Sequence, residues 1–174
     1  MMAAKIFYSW QSDLDPEATR NFIEEALELS IKKLNAEIES AERPVNSEAD
    51  DDDDPNQVAL DMDTKGVTGS PKIADTIFGK ISEAAAFVAD MTFVGARNGG
   101  KGKISNPNVL IEYGYAVKAL GDFAELRIIS VMNTFYGKPS LKNLPFDMKY
   151  VRWPITYTLA PNATLEERET AQGG

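Results

Sequence analysis

Apolar residues along this chain follow two periods in alternation, a short near-continuous run and then a stretch at helical spacing. Lys5-Ile6-Phe7-Tyr8-Ser9-Trp10 reads as a buried strand. Asp15-Pro16 then supplies a helix cap and a first-position proline, and Phe22, Ile23, Ala26, Leu27, Ile31, Leu34 and Ile38 keep one helical face for several turns. Val58 to Met62 is a second strand candidate. Gly66 to Ser70 predicts a turn and Ser70-Pro71 another cap, with Ile73, Ala74, Ile77, Phe78 and Ile81 marking a second helix. Ala85 to Thr92 is a third strand with a polar end. Gly95 to Ser105, rich in glycine and lysine, reads as a long loop: a flexible lid, an assembly surface, or simple disorder. Leu126 to Asn133 is a fourth strand and Tyr150 to Trp153 a short fifth. Residues 1–160 read as a single domain and 161–174 as a polar tail, with a short helix from Thr164.

This β-α-β-α-β-α-β order with a final strand predicts an α/β, flavodoxin-like three-layer fold. It has a mainly parallel five-stranded sheet, order 2-1-3-4-5, with helices on both faces. Sites in such sheets lie beyond the carboxyl ends of the strands, near the switch in strand order. Three polar groups fall there: Ser9-Trp10-Gln11-Ser12 after the first strand, Asp90 and Thr92 at the end of the third, and the start of the third helix.

That third helix holds the most informative residue. In Asn106-Pro107-Asn108-Val109-Leu110-Ile111-Glu112-Tyr113-Gly114-Tyr115-Ala116-Val117, Asn106 suits the cap and Pro107 the first position, and Gly121 suits the far end. The turns between are apolar nearly all round, so the helix is expected to be covered. Glu112 is its lone carboxylate. A carboxylate there is costly unless it is paired, hydrogen-bonded or protonated, which makes it a functional candidate; the bland alternatives are that it points out through a gap or that a core amide satisfies it.

Composition narrows the chemistry. The 174 residues include no cysteine and no histidine. Thiol nucleophiles, Ser-His-Asp triads and histidine or cysteine metal sites are therefore excluded, and carboxylate chemistry moves to the front. A net charge of −9 argues against a nucleic-acid partner. The acidic stretch Glu48 to Asp54 reads as a solvated loop and lacks the glycine and terminal glutamate of an EF-hand. No metal is implied. No run is apolar enough to span a bilayer, and no signal peptide precedes the first strand, so a cytoplasmic protein is expected, with no membrane partner.

Phe7-Tyr8-Ser9-Trp10-Gln11-Ser12-Asp13, Ala89-Asp90-Met91-Thr92 and Asn106 to Ala116 together resemble the bacterial TIR-like (Toll/interleukin-1 receptor-like) domains. They are most similar to the branch of predicted nucleotide-binding proteins that act as anti-phage effectors. The resemblance covers roughly residues 5 to 155. It implies cleavage of the nicotinamide-ribose bond of NAD+ as substrate, with no separate cofactor, releasing ADP-ribose or a cyclised signalling nucleotide. It places the catalytic glutamate at Glu112 and substrate-holding residues at Ser9, Trp10, Gln11 and Ser12. It further implies self-assembly into dimers or filaments and a downstream effector that senses the product.

The remaining candidates have two readings each. Trp10 stacks on a nicotinamide or adenine ring, or is core. Ser9 and Ser12 donate to phosphate or ribose, or cap a turn. Asn108 and Tyr115 share the Glu112 side of the helix; Asn108 contacts substrate or supports the helix start, and Tyr115 is a ligand or core. Asp90 binds ribose or caps a turn. Two rivals to the NAD+ reading stay open: a nucleoside 2-deoxyribosyltransferase-like enzyme, separable by base exchange on deoxynucleosides, and a non-catalytic TIR interaction module.

Overall fold

The computed structural model describes residues 4–42, 57–63, 73–100, 102–121, 124–145, 148 and 152–172. Its main sheet has five strands, β1 (Ala4–Ser9), β2 (Val58–Met62), β3 (Ala86–Asp90), β6 (Ile128–Asn133) and β7 (Ile155–Tyr157), in the order β2-β1-β3-β6-β7. Every neighbouring pair is parallel, as the alternating pattern requires. A separate antiparallel pair, β4 (Phe93–Ala96) with β5 (Lys103–Ser105), stands apart from it. The helices are α1 (Arg20–Glu42), α2 (Ile73–Glu83), α3 (Pro107–Ala119), α4 (Ala124–Arg127) and α5 (Leu165–Gln172). The order is the predicted 2-1-3-4-5, with β6 and β7 as fourth and fifth.

Side chains of a strand alternate between the faces of its sheet, and β1 shows what this does here. Phe7 faces the core shared with α2 and α3, where it stacks on its register partner Phe87 at 6.1 Å. Tyr8 faces the other core, with Phe22 and Ile23 of α1. Both layers bury the sheet, so β3 is apolar to its end with Asp90 the exception. Among the described residues no helix is long and apolar enough to cross a membrane.

Four expectations change. The predicted loop Gly95–Ser105 is largely a hairpin: Phe93 is buried beneath it, Ser105 Oγ donates to the Met91 carbonyl at 2.7 Å, and Arg97 N–H donates to the Gly102 carbonyl at 2.9 Å. Leu126 and Arg127 end α4 rather than begin a strand, because Arg127 turns its guanidinium onto the carbonyls of Ala84 and Ala85. The fifth strand lies after Pro154, not before it. Tyr150 and Val151 fall outside the described residues, Arg152 and Trp153 are not in a strand, and Ile155 pairs with Val131. Proline cannot donate to a ladder, so it stands ahead of the strand. Finally, α3 is two-sided: Val109 and Ala116 are buried, whereas Ile111 and Val117 are exposed. The expected turn at 66–70, the Ser70-Pro71 cap and the acidic stretch 48–54 lie outside the described residues.

Other local signals hold. Asp15 caps a 3-10 turn at Pro16–Ala18, and α1 proper begins at Arg20. The apolar face of α1 has one exception to the spacing, since Leu34 is exposed. Asn106 caps α3, accepting from the N–H groups of Asn108 and Val109, and Gly121 takes φ +67 just past its end. Thr164 and Glu167 cap each other's backbone N–H groups at the start of α5. This helix is docked: Arg168 pairs with Glu17 and Glu25.

Asn133, at the end of β6, ties these pieces together. Its side chain donates to the carbonyls of Ala18 (2.9 Å) and Leu159 (2.7 Å) and accepts from the N–H groups of Phe135 and Leu159, wholly out of water. Replacing Asn133 with Ala orphans several buried backbone groups, each worth about 1–3 kcal/mol. Urea unfolding of Asn133→Ala is expected to show a loss of about 3 kcal/mol or more; a loss below about 1 kcal/mol would mean the groups find other partners.

Candidate active site

The carboxyl end of β1 opens into the loop Trp10–Leu14, and α3 begins beside it. Because Ser9 has the parity of Phe7, its side chain points to the α2/α3 layer. There Ser9 Oγ donates to Glu112 Oε2 at 2.5 Å. Ser9 is buried and Glu112 half-buried. Glu112 Oε1 has no hydrogen-bond partner among the described residues. Burial raises the Glu112 pKa above the ordinary glutamate value, and the Ser9 hydroxyl pulls it part of the way back.

Glu112 stands between two cavities. One, of about 180 Å³, is the more polar of the two: Ser9, Trp10, Gln11, Ser12, Asn106 and Asn108 line it, with Phe7 and Tyr8 of β1 and Asp63 just after β2. The other, of about 380 Å³, is apolar, with Ile73, Ala74, Phe78 and Ile111 between α2 and α3. Ile77, Asn108 and Glu112 line both. A smaller, more polar space and a larger, apolar space thus meet at one carboxylate.

The structure gathers six of the eight candidates at the polar cavity and gives several of them duties inside the protein. Gln11 is buried and uses both ends of its amide. Its Oε1 accepts from the N–H groups of Asp13 (2.6 Å) and Leu14 (3.1 Å), and its Nε2 donates to Asp90 Oδ2 at 3.3 Å. It holds the loop in shape. Asp90 lies behind the site, fully buried, with Oδ1 accepting from Thr92 N–H at 3.0 Å. Of its two readings, the turn cap is the one present. Burial raises its pKa, opposed by the bonds from Thr92 and Gln11. Trp10 lines the cavity and carries the Arg20 guanidinium 3.6 Å from its ring centroid. Ser12 and Asn108 are exposed in the cavity wall.

Tyr115 is not brought to the site. Its ring stacks on Phe78 at 4.3 Å and its hydroxyl lies 2.9 Å from Ser82 Oγ, so it braces α3 against α2. The i, i+3 relation to Glu112 is compatible with this, since a helix turn spans enough arc for the two side chains to diverge.

Sequence reasoning missed Asp63, Asn106 and Ile77 as site residues. Asp63 has a legible signal: an aspartate directly after a strand, at φ +39, a conformation that aspartate tolerates better than most. Asn106 was legible as a cap only. Its Nδ2 also donates to Asp13 Oδ2, which fastens α3 to the first loop. Ile77 reads as core in any helical pattern.

No family model, no curated protein and no solved structure matches this chain.

The raised pKa makes Glu112 a stability liability. A carboxyl whose folded pKa lies above its unfolded value favours the folded state at low pH, and that contribution is lost as pH rises through the folded pKa. Glu112→Gln, still able to accept from Ser9, is therefore expected to melt above the wild type at neutral pH, with the gap closing as pH falls below the ordinary glutamate range. Thermal melts across pH 4–8 test this; a lower melting temperature for the variant at neutral pH would contradict it.

Proposed function

We propose that this chain cleaves the nicotinamide-ribose bond of NAD+, as a TIR-like glycohydrolase or cyclase in bacterial anti-phage defence, with Glu112 as its catalytic carboxylate. The observation that carries this reading is the Glu112 side chain itself: one oxygen held by Ser9, the other without a protein partner, at the meeting of a polar and an apolar cavity. The resemblance in residues 5 to 155 supports the same chemistry.

Nicotinamide in NAD+ is a cationic leaving group, so no general acid is required. The C1′–N bond breaks, its electron pair leaves on the nicotinamide nitrogen, and positive charge develops on the ribose. A carboxylate in a half-buried, preorganised setting stabilises that charge far better than one in water. It can also orient the ribose hydroxyls or capture C1′, as one carboxylate does in retaining glycosidases. An attacking water, losing its proton, then yields ADP-ribose; an adenine nitrogen yields a cyclic product. The polar cavity suits the ribose and the apolar one the departing ring. The positive charge of bound NAD+ offsets the desolvation of Glu112 and draws its pKa down.

Purified protein assayed at high concentration, with products resolved by mass, tests the reading. Glu112→Gln is expected to lose turnover on the order of 10²-fold or more, by analogy with other preorganised electrostatic groups. Activity within a few-fold of wild type would remove Glu112 from the mechanism, and base exchange on deoxynucleosides without NAD+ consumption would point to the nucleoside transferase chemistry instead. Ser9→Ala removes the bond that lowers the Glu112 pKa. Its acid limb in kcat/KM against pH is expected to move up, and an unmoved limb would show that this bond does not tune the carboxylate.

A further inference from the structure

Arg20, the first residue of α1, enters no ion pair among the described residues. Its guanidinium lies 3.6 Å from the centroid of the Trp10 ring, and Trp10 lines the polar cavity. Arg20 Nε is the one buried side-chain nitrogen or oxygen without a hydrogen-bond partner among the described residues. Glu24 follows it at i, i+4 without pairing to it. Arg168 shows the contrast: it engages two carboxylates. In a chain of net charge −9, a half-buried arginine without a carboxylate partner is unusual, because a buried donor left unmade costs about 1–3 kcal/mol, and more when charged. The Trp10 face supplies part of the compensation and fixes the planar group in one orientation.

We infer that Arg20 and Trp10 form an anion subsite at the rim of the polar cavity, which takes the phosphates of a dinucleotide. The inference rests on the NAD+ reading for its substrate. The described side chains that line the two cavities are apolar, neutral polar or acidic, a lining suited to a sugar and a cationic ring. A dinucleotide also carries two phosphates, which need a countercharge. Arg20 provides one in contact with a lining residue, with the fork of donors that matches phosphate oxygens. Stacked on Trp10, it is also preorganised, so little side-chain freedom is lost on binding.

The test uses the full chain with Arg20→Gln and Arg20→Lys, and two readouts: NAD+ kinetics and calorimetric binding of inorganic pyrophosphate at low and high salt. In Arg20→Gln the KM for NAD+ is expected to rise about tenfold or more with kcat within a few-fold, the loss of one charge-assisted contact. Pyrophosphate binding is expected to weaken alongside and to lose its salt dependence. Arg20→Lys keeps the charge and is expected to recover part of the affinity. A merely structural Arg20 would lower kcat and melting temperature without touching the salt dependence, and that result overturns the subsite. Turnover with an unchanged KM in Arg20→Gln also overturns it while leaving the NAD+ reading intact. Arg20-dependent pyrophosphate binding without any NAD+ turnover keeps the anion subsite and removes the reading on which its substrate rests. Absence of both overturns the two together.

Discussion

The alternation of side chains along β1 is the constraint on which the site depends. A strand sends successive residues to opposite faces, and in a sheet covered on both sides each face is a different environment. Phe7 and Ser9 go to the α2/α3 layer, Tyr8 to the α1 layer. Shifting the register by one residue would put a tyrosine against Glu112 and the serine hydroxyl against Phe22 and Ile23. The register is held by the parallel pairs Phe7↔Phe87 and Tyr8↔Val88, both apolar and buried. Apolar packing in the middle of the strand therefore decides which hydroxyl meets the carboxylate at its end.

Beyond Ser9 the chain leaves the sheet, and an irregular loop would ordinarily be free to move. Here it is fastened at three points. Gln11 ties it to the end of β3 through Asp90, Asp13 ties it to the α3 cap through Asn106, and Asp15 accepts from the Asn162 N–H ahead of α5. All three fastenings are polar side-chain bonds, which suits a loop whose outer surface must stay wet. The segment after residue 160, which reads in sequence as a polar tail, thus takes part in shaping the loop that lines the site.

Much of the fold was legible because its signals are local. The caps at Asp15, Asn106 and Thr164 are short-range rules that involve a few neighbouring residues, and the apolar runs of β1, β3 and β6 are long enough to dominate their windows. The failures share a physical cause. The hairpin β4–β5 is held by the buried Phe93, the bond from Ser105 to Met91 and the backbone bond from Arg97 to Gly102, and its glycines and lysines hide the alternation. Strand β7 exists because β6 offers an edge and Asn133 fixes the chain just beyond it, a non-local cause. At the site, Glu112 and the first loop were legible by position. The turn cap at Asp90 was legible too, being a bond to a residue two positions on; the link from Gln11 to Asp90 was not, since it spans 79 residues of sequence.

The two buried acids show how a role can be read from lone pairs. Asp90 and Glu112 both lie near strand ends, and burial raises the pKa of both. Asp90 has each oxygen engaged, one by Thr92 and one by Gln11, and it is sealed from solvent. Its cost of burial is offset inside the protein, so the fold gains a brace. Glu112 has one oxygen engaged and the other facing space where two cavities meet. A protein that only needed a brace would engage both. Under the proposed NAD+ reading, a half-satisfied carboxylate stays in a partly desolvated state that a cationic sugar completes, and the stability the protein forgoes there becomes available to that ligand on binding.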